Sequence, residues 1–326
     1  MVSLFKEKSA ASVLGLIIFS ILIHARFIDF PPQVIINPSD GLLYYILLPL
    51  KQLPSLALSV IYQLIILLQA FRFNYIMNDV RMYPKPAYTA ALAFILLTGL
   101  LPQWGNISAS LLSNSILLWF LFFIMKSYNS QKPGTLVFNT GLVAAVAVLL
   151  NYSLFPLLIV SFLALAIIRP FRITEWFILL SGVITPFYFA GGYLFLTDNM
   201  VFAKNLLHIF QWHIIKPDHF ILTVITLAVS GCIIICGIYM IQANSSRMML
   251  QARKSWTIIL FLFIFLIPAN YFVKDNWPYT LLSTVITAAA FISYTFIHPK
   301  KNIIPVVFFW LMIAISVYNN WIFLKT

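Results

Sequence analysis

Asp29 and Arg26 stand in the first polar interruption of a strongly apolar chain, the stretch HARFIDFPPQVIINPSD at residues 24–40. A carboxylate at the edge of an apolar phase can serve as a general base toward an acceptor hydroxyl. A guanidinium three residues earlier can hold a phosphate by charge-assisted hydrogen bonds. The competing reading is a plain ion pair between Arg26 and Asp29 at the membrane boundary, an interaction worth little when exposed. Pro31, Pro32 and Pro38 forbid a continuous helix here. Asp40, next to Gly41, has the residue types of a turn or a cap.

A second polar cluster follows much later, with Lys204, His208, His213 and Lys216 spread around Trp212. Cations in that pattern suit a phosphate or diphosphate on a lipid, and equally the anionic headgroups of a bilayer. His213, Asp218 and His219 offer metal-ligating types, but Pro217 and the irregular spacing give no recognised ligand pattern. No resident cofactor is expected, and a divalent metal has no ligand motif to support it. The third cluster, Arg169-Pro-Phe-Arg-Ile-Thr-Glu-Trp176, places Arg169 and Arg172 before a helix whose first turn holds Glu175. An acid there complements the helix dipole; the alternative is that Arg169, Arg172, Glu175 and Trp176 dock a protein partner. A phosphate-binding glycine loop, a paired-histidine metal helix and a serine elbow are all missing. Gly191 and Gly192 are expected to let helices approach closely.

The elements that carry these residues follow from composition. The 326 residues are 62% hydrophobic and only 9% charged, against about half and a quarter in soluble domains. An all-helical polytopic membrane protein is expected. The formal charge of +12 is scattered singly between apolar runs, which reads as a topology signal and gives no nucleic-acid patch. Cys232 and Cys236 lie one helical turn apart, a poor geometry for a disulfide.

Runs long enough for a bilayer predict about eleven spans: residues 9–25, 53–72, 87–103, 108–126, 136–151, 153–169, 175–197, 219–242, 256–272, 278–297 and 303–323. The fifth and sixth, separated by Asn151 and Tyr152, read either as two spans or as a hairpin that stops short of crossing. With the N-terminus in the cytoplasm, fourteen of the 20 basic residues fall inside and six outside, the positive-inside pattern. The C-terminus is then outside. The first loop, continuing through residues 39–52, and the 198–219 segment both lie outside, each predicted to hold an amphipathic helix on the membrane surface. Ser39 is the candidate cap of the first. Inter-span segments are too short for a soluble domain, so residues 1–326 form one membrane domain. No fixed-period repeat is evident.

Two resemblances follow from these residues. Asn139-Thr-Gly-Leu142, Asn151-Tyr, Arg169-Pro-Phe-Arg, Glu175-Trp and Pro186-Phe look like an uncharacterised integral membrane family of Bacteroidetes-type bacteria. That likeness covers mainly residues 136–190 and implies the bacterial inner membrane. The layout of a large first outer loop and another between spans seven and eight resembles the GT-C membrane glycosyltransferases. It implies a core module over residues 9–242, with additional C-terminal spans over 243–326. It also implies a polyprenyl-phosphate-linked sugar donor and an acid in the first outer loop as base or metal contact, a place held by Asp29 ahead of Asp40; Arg26, Lys204, His208, His213 and Lys216 are then the residues expected to bind the lipid phosphate. The paired acidic signature of that superfamily and its soluble C-terminal domain are absent, so a catalytically silent relative fits as well. Two other classes stay open: a lipid or solute transporter, for which Gln63, Asn114 and Asn139 are the polar residues in mid-span, and a non-catalytic subunit of a cell-envelope assembly.

Overall fold

The computed structural model describes residues 2–37, 40–198, 220–270, 278–297 and 303–322. Among them the chain is helical without strands, apart from isolated bridges between Val34 and Ile107 and between Asp40 and Asn151. Its α-helices are α1 (Ala10–Ile23), α2 (Ser55–Asp79), α3 (Thr89–Thr98), α4 (Ala109–Lys126), α5 (Gly134–Leu150), α6 (Pro156–Ile168), α7 (Ile173–Leu196), α8 (Phe220–Asn244), α9 (Leu250–Ala269), α10 (Val285–Ile297) and α11 (Ile303–Val317). Short 3-10 turns extend several of them, including Tyr152–Leu154 before α6 and Tyr279–Thr284 before α10.

Seven of the helical segments are long and apolar enough to cross a membrane: Ser55–Asp79, Ala109–Asn129, Ile173–Leu196, Leu222–Arg247, Leu250–Ala269, Tyr279–Ile297 and Ile303–Trp321. By length and composition this is a multi-pass membrane protein. The four shorter apolar helices, Ala10–Ile23, Thr89–Thr98, Gly134–Leu150 and Tyr152–Ile168, reach only about 15–26 Å at 1.5 Å per residue. A hydrocarbon core is about 30 Å thick.

The centre is the pair α3 and α10. Every residue of α3 and all of α10 up to Phe296 are buried, as expected of helices that are apolar on all sides. The outer helices turn Leu14, Ile18, Leu56, Leu64, Leu68, Phe177 and Ile184 outward. Polar side chains go inward instead: Gln69 Nε2 donates to Leu111 O and Ser115 Oγ, and Asn114 Nδ2 to Leu282 O. That arrangement suits a hydrocarbon solvent, where a polar group must find its partner within the protein.

α3 is shorter than the predicted 87–103 because Gly99 and Pro102 end it. The freed carbonyls are taken up from α11 and the turn after it. Ser316 Oγ and Asn320 Nδ2 donate to Gly99 O, and Asn319 Nδ2 to Leu100 O. α5 packs most extensively on α7, where Gly141 and Gly182 face each other's helix. A Cβ on Gly141 would collide with Leu179 O, and one on Gly182 with Phe138 O. The expectation of close packing at Gly191 and Gly192 is not met, since nothing among the described residues lies within 4 Å of a Cβ at either. Gly191 is partly buried and Gly192 exposed, near the C-terminal end of α7.

Connections gather at two ends. At one end residues 24–37 and 40–54, the turn Pro102–Gly105 and the α5–α6 joint are tied together: Ile107 N donates to Gln33 O, Ile35 N to Ile107 O, and Gly41 N to Leu150 O. At the other, Tyr88 N donates to Phe5 O, Lys254 Nζ to Ile168 O, and Arg169 Nη1 to Ser127 O. This second end holds Lys6, Lys85, Arg81, Lys126, Lys132, Arg169, Arg172, Arg247, Arg253 and Lys254, so among the described residues the positive charge is concentrated there.

Candidate functional site

The first-loop site begins where α1 stops. His24 closes that helix, its backbone N–H bonded to Ser20 O, and the chain then makes the 3-10 turn Ala25–Ile28. The buried His24 ring keeps Nδ1 2.9 Å from Ser20 O and packs edge-on against Tyr62 at 5.3 Å. Tyr62 in turn donates its hydroxyl to Trp104 O, and Trp104 Nε1 donates to Pro278 O. The turn is therefore anchored to the α3–α4 connection and, through it, to the start of the α10 segment.

Arg26 and Asp29 do not pair. Arg26 Nη1 donates to Pro102 O at 3.0 Å, and its guanidinium lies 5.5 Å from the centre of the Phe30 ring. Half-burial lowers the Arg26 pKa from its ordinary value, and its Nε has no partner among the described residues. Asp29 is exposed at the end of the turn, without a side-chain hydrogen bond or ion pair among the described residues. The ion-pair reading fails because a carbonyl 76 positions away captures the arginine first.

Beside this turn runs a groove of about 730 Å³ between α1 and α2. Leu22, Leu56, Val60 and Leu64 make its apolar wall, while His24, Ser55, Ser59 and Gln63 bring polarity to it. Ile28 and Pro31, which flank Asp29 in sequence, line its mouth; Asp29 itself is outside the lining. Gln63 Nε2 donates to Ser20 Oγ at 2.6 Å.

The rest of the first loop is structural. Asn106 Oδ1 accepts from Gln33 N, and Asp40 Oδ2 accepts from Asn37 N, closing a turn of the kind expected of aspartate. Gly41 admits the backbone of Leu149, with which any Cβ would collide. Residues 42–52 are not the predicted surface α-helix. They form two 3-10 turns, Leu42–Leu47 and Pro49–Gln52, because Pro49 lacks the N–H that would continue a helix. Ser39, the candidate cap, lies outside the described residues.

Lys204, His208, His213 and Lys216 also lie outside the described residues, as do the predicted second surface helix and the His213–Asp218–His219 grouping. Among the described residues no three of His, Cys, Asp and Glu cluster as metal ligands.

The cluster at 169–176 divides. Arg169 Nε donates to Glu175 Oε2 at 2.8 Å, with side-chain exposures of 9% and 6%, and its Nη1 reaches Ser127 O and Ser130 O. This staple joins the ends of α4 and α6 to the start of α7. Arg172 and Phe171 face outward, and Trp176 packs against Phe162 and Phe171.

Two features escaped the sequence reading. Arg72, inside α2, lies 4.4 Å from the Trp119 ring and 4.3 Å from the Phe122 ring, aromatic faces that take the place of water around the cation. At the basic end, Arg81 and Arg247 share a cavity. Both involve residues brought together from different helices, for which local sequence carries no signal.

No known family, curated protein or solved structure matches the chain. What fold and composition define is a helical multi-pass membrane protein.

Proposed function

We propose that this is a GT-C-like inner-membrane protein that transfers a sugar from a polyprenyl-phosphate donor on the extracytoplasmic side, with its reaction centre at Asp29. In this reading all eleven helices cross or deeply enter the bilayer, the N-terminus and the basic end are cytoplasmic, and the C-terminus is outside. The observation that carries it is the exposed Asp29 carboxylate, without a side-chain partner among the described residues, beside the mouth of the α1–α2 groove. An isoprenoid chain suits the apolar wall of Leu22, Leu56, Val60 and Leu64. His24, Ser55, Ser59 and Gln63 sit where a chain gives way to its polar head.

The acceptor hydroxyl gives its proton to the Asp29 carboxylate as its oxygen attacks the anomeric carbon. The bond from that carbon to the phosphate oxygen breaks, and the electron pair leaves with the phosphate. A single displacement of this kind inverts the anomeric centre. Arg26, held by Pro102 O and Phe30 rather than by Asp29, keeps N–H donors for the leaving phosphate. Lys204, His208, His213 and Lys216 complete the phosphate grip. No metal is assigned a step.

Gln63 Nε2 is taken up by Ser20 Oγ and Asn114 Nδ2 by Leu282 O, which supports the transferase over a transporter that would line a path with those donors. Arg172 and Trp176 remain the surface for a cell-envelope protein partner. The test compares envelope glycans in cells carrying wild type or Asp29→Asn at equal membrane abundance. Loss of the sugar is expected; an unchanged glycan removes Asp29 from the reaction.

A further inference from the structure

At the basic end, opposite Asp29, a cavity of about 670 Å³ opens between the α2–α3 and α8–α9 connections. Arg81 and Arg247 line it together with Asn78, Met82, Tyr83 and Met248, and no carboxylate is among its lining residues. Neither arginine has an acidic partner among the described residues.

The backbone at Arg81 makes the cavity more than a place where topology-setting charges collect. α2 ends in a Schellman turn: Met82 N donates to Met77 O and Arg81 N to Asn78 O. The residue between must be left-handed, and Arg81 has φ 54°. Glycine is the natural occupant of that position, and a side chain there is strained. A positive charge for topology would serve equally at a neighbouring position without strain. Strain of this kind persists where the surroundings over-determine it, and they do so here. Asn78 Nδ2 donates to Ala87 O and Asn78 Oδ1 accepts from Ala87 N, bracing the loop from both sides. Tyr83, buried, hydrogen-bonds Ser293 on α10 at 2.5 Å. Arg247 is placed by its own 3-10 turn, Ser245–Arg247, closed by Met248 N to Ser245 O.

We infer that Arg81 and Arg247 form a binding site for a phosphate-bearing ligand at the basic end of the bundle, independent of the Asp29 reading. Two guanidinium groups suit the oxygens of a phosphate. The methionines and Tyr83 give an adaptable apolar floor for whatever carries it. The phosphate can belong to a lipid headgroup or to a free anion, and the experiment separates the two.

The full chain is purified in maltoside micelles, which contain no phosphate, and its thermal midpoint is followed against added phosphatidic acid or added inorganic phosphate. A rise with phosphatidic acid alone assigns a lipid headgroup; a rise with inorganic phosphate as well assigns a free anion. Apparent affinity should fall at least about tenfold in Arg81→Gly and in Arg247→Gln. Arg81→Gly also relieves the left-handed strain, so its ligand-free midpoint should equal or exceed that of wild type, which separates lost binding from lost folding. The proposal is overturned if neither probe moves the midpoint, if Arg81→Gly binds as wild type does, or if Arg81→Gly is less stable without ligand.

Discussion

Arg169 and Glu175 illustrate how much one residue's neighbours decide. The pair is nearly closed off from solvent, and Arg169 also donates to Ser127 O. Removing one member of a buried pair leaves the other charged and unsatisfied, which costs about 3–5 kcal/mol. Glu175→Ala should therefore lower unfolding stability in detergent by that order, whereas Arg172→Ala, three residues away and exposed, should change it by less than about 0.5 kcal/mol. Equal losses from the two would show that the staple contributes nothing special. The same logic separates Arg26 from Asp29: spacing made them look like a pair, but the arginine is bonded to Pro102 O and the carboxylate is left over among the described residues. A residue left over is the one whose chemistry can be tested by Asp29→Asn.

Glycine placement governs the α5–α7 element. Gly141 and Gly182 let the two backbones touch, so a larger side chain has no room and the helices must separate. Gly141→Leu should destabilise the protein by roughly 1–3 kcal/mol or more through overpacking. Gly191→Ala, on the same α7 where a Cβ meets nothing within 4 Å among the described residues, should be neutral or stabilising by up to about 1 kcal/mol from helix propensity. Chemical denaturation of both variants in one detergent measures the contrast; a destabilised Gly191→Ala would indicate that this turn of α7 has a packing partner. α3 makes a related point. Its ten residues are too few to span a bilayer alone, and Ser316 of α11, with Asn319 and Asn320 of the turn after it, donates to the carbonyls at its end. Helix length read from the sequence overestimated α3, because an apolar run continues past the glycine and proline that stop it.

For the whole molecule, the segregation of basic residues to one end predicts which side of the membrane that end occupies. In a background carrying Cys232→Ala and Cys236→Ala, an impermeant maleimide should label Gln52→Cys in intact cells. It should label Lys132→Cys only after lysis. The reverse pattern would invert the orientation and place the Asp29 end in the cytoplasm, where an extracytoplasmic transfer could not occur. The two ends are chemically distinct in any orientation. One carries a groove open between α1 and α2 with the exposed Asp29 carboxylate nearby, the other a cavity with two guanidinium groups.

The membrane class, the approximate positions of the helices among the described residues and the crowding of basic residues at alternate connections were legible from the sequence alone. Each depends on the local solvation of a run of about 20 residues, and that free energy is written in the run itself. Only the tertiary structure decided which polar groups are consumed and which stay available. Arg26 bonds to Pro102, Tyr62 to Trp104, Asn114 to Leu282 and Asn319 to Leu100. Those partners are dozens of residues or more apart, and nothing in a local pattern pairs them. The same holds for glycines: Gly191 and Gly192 carried the sequence signature of close packing, but Gly141 and Gly182 have the neighbouring backbone. A hydrocarbon solvent favours a partner for a buried polar group without specifying which one, and only the packed bundle makes that choice.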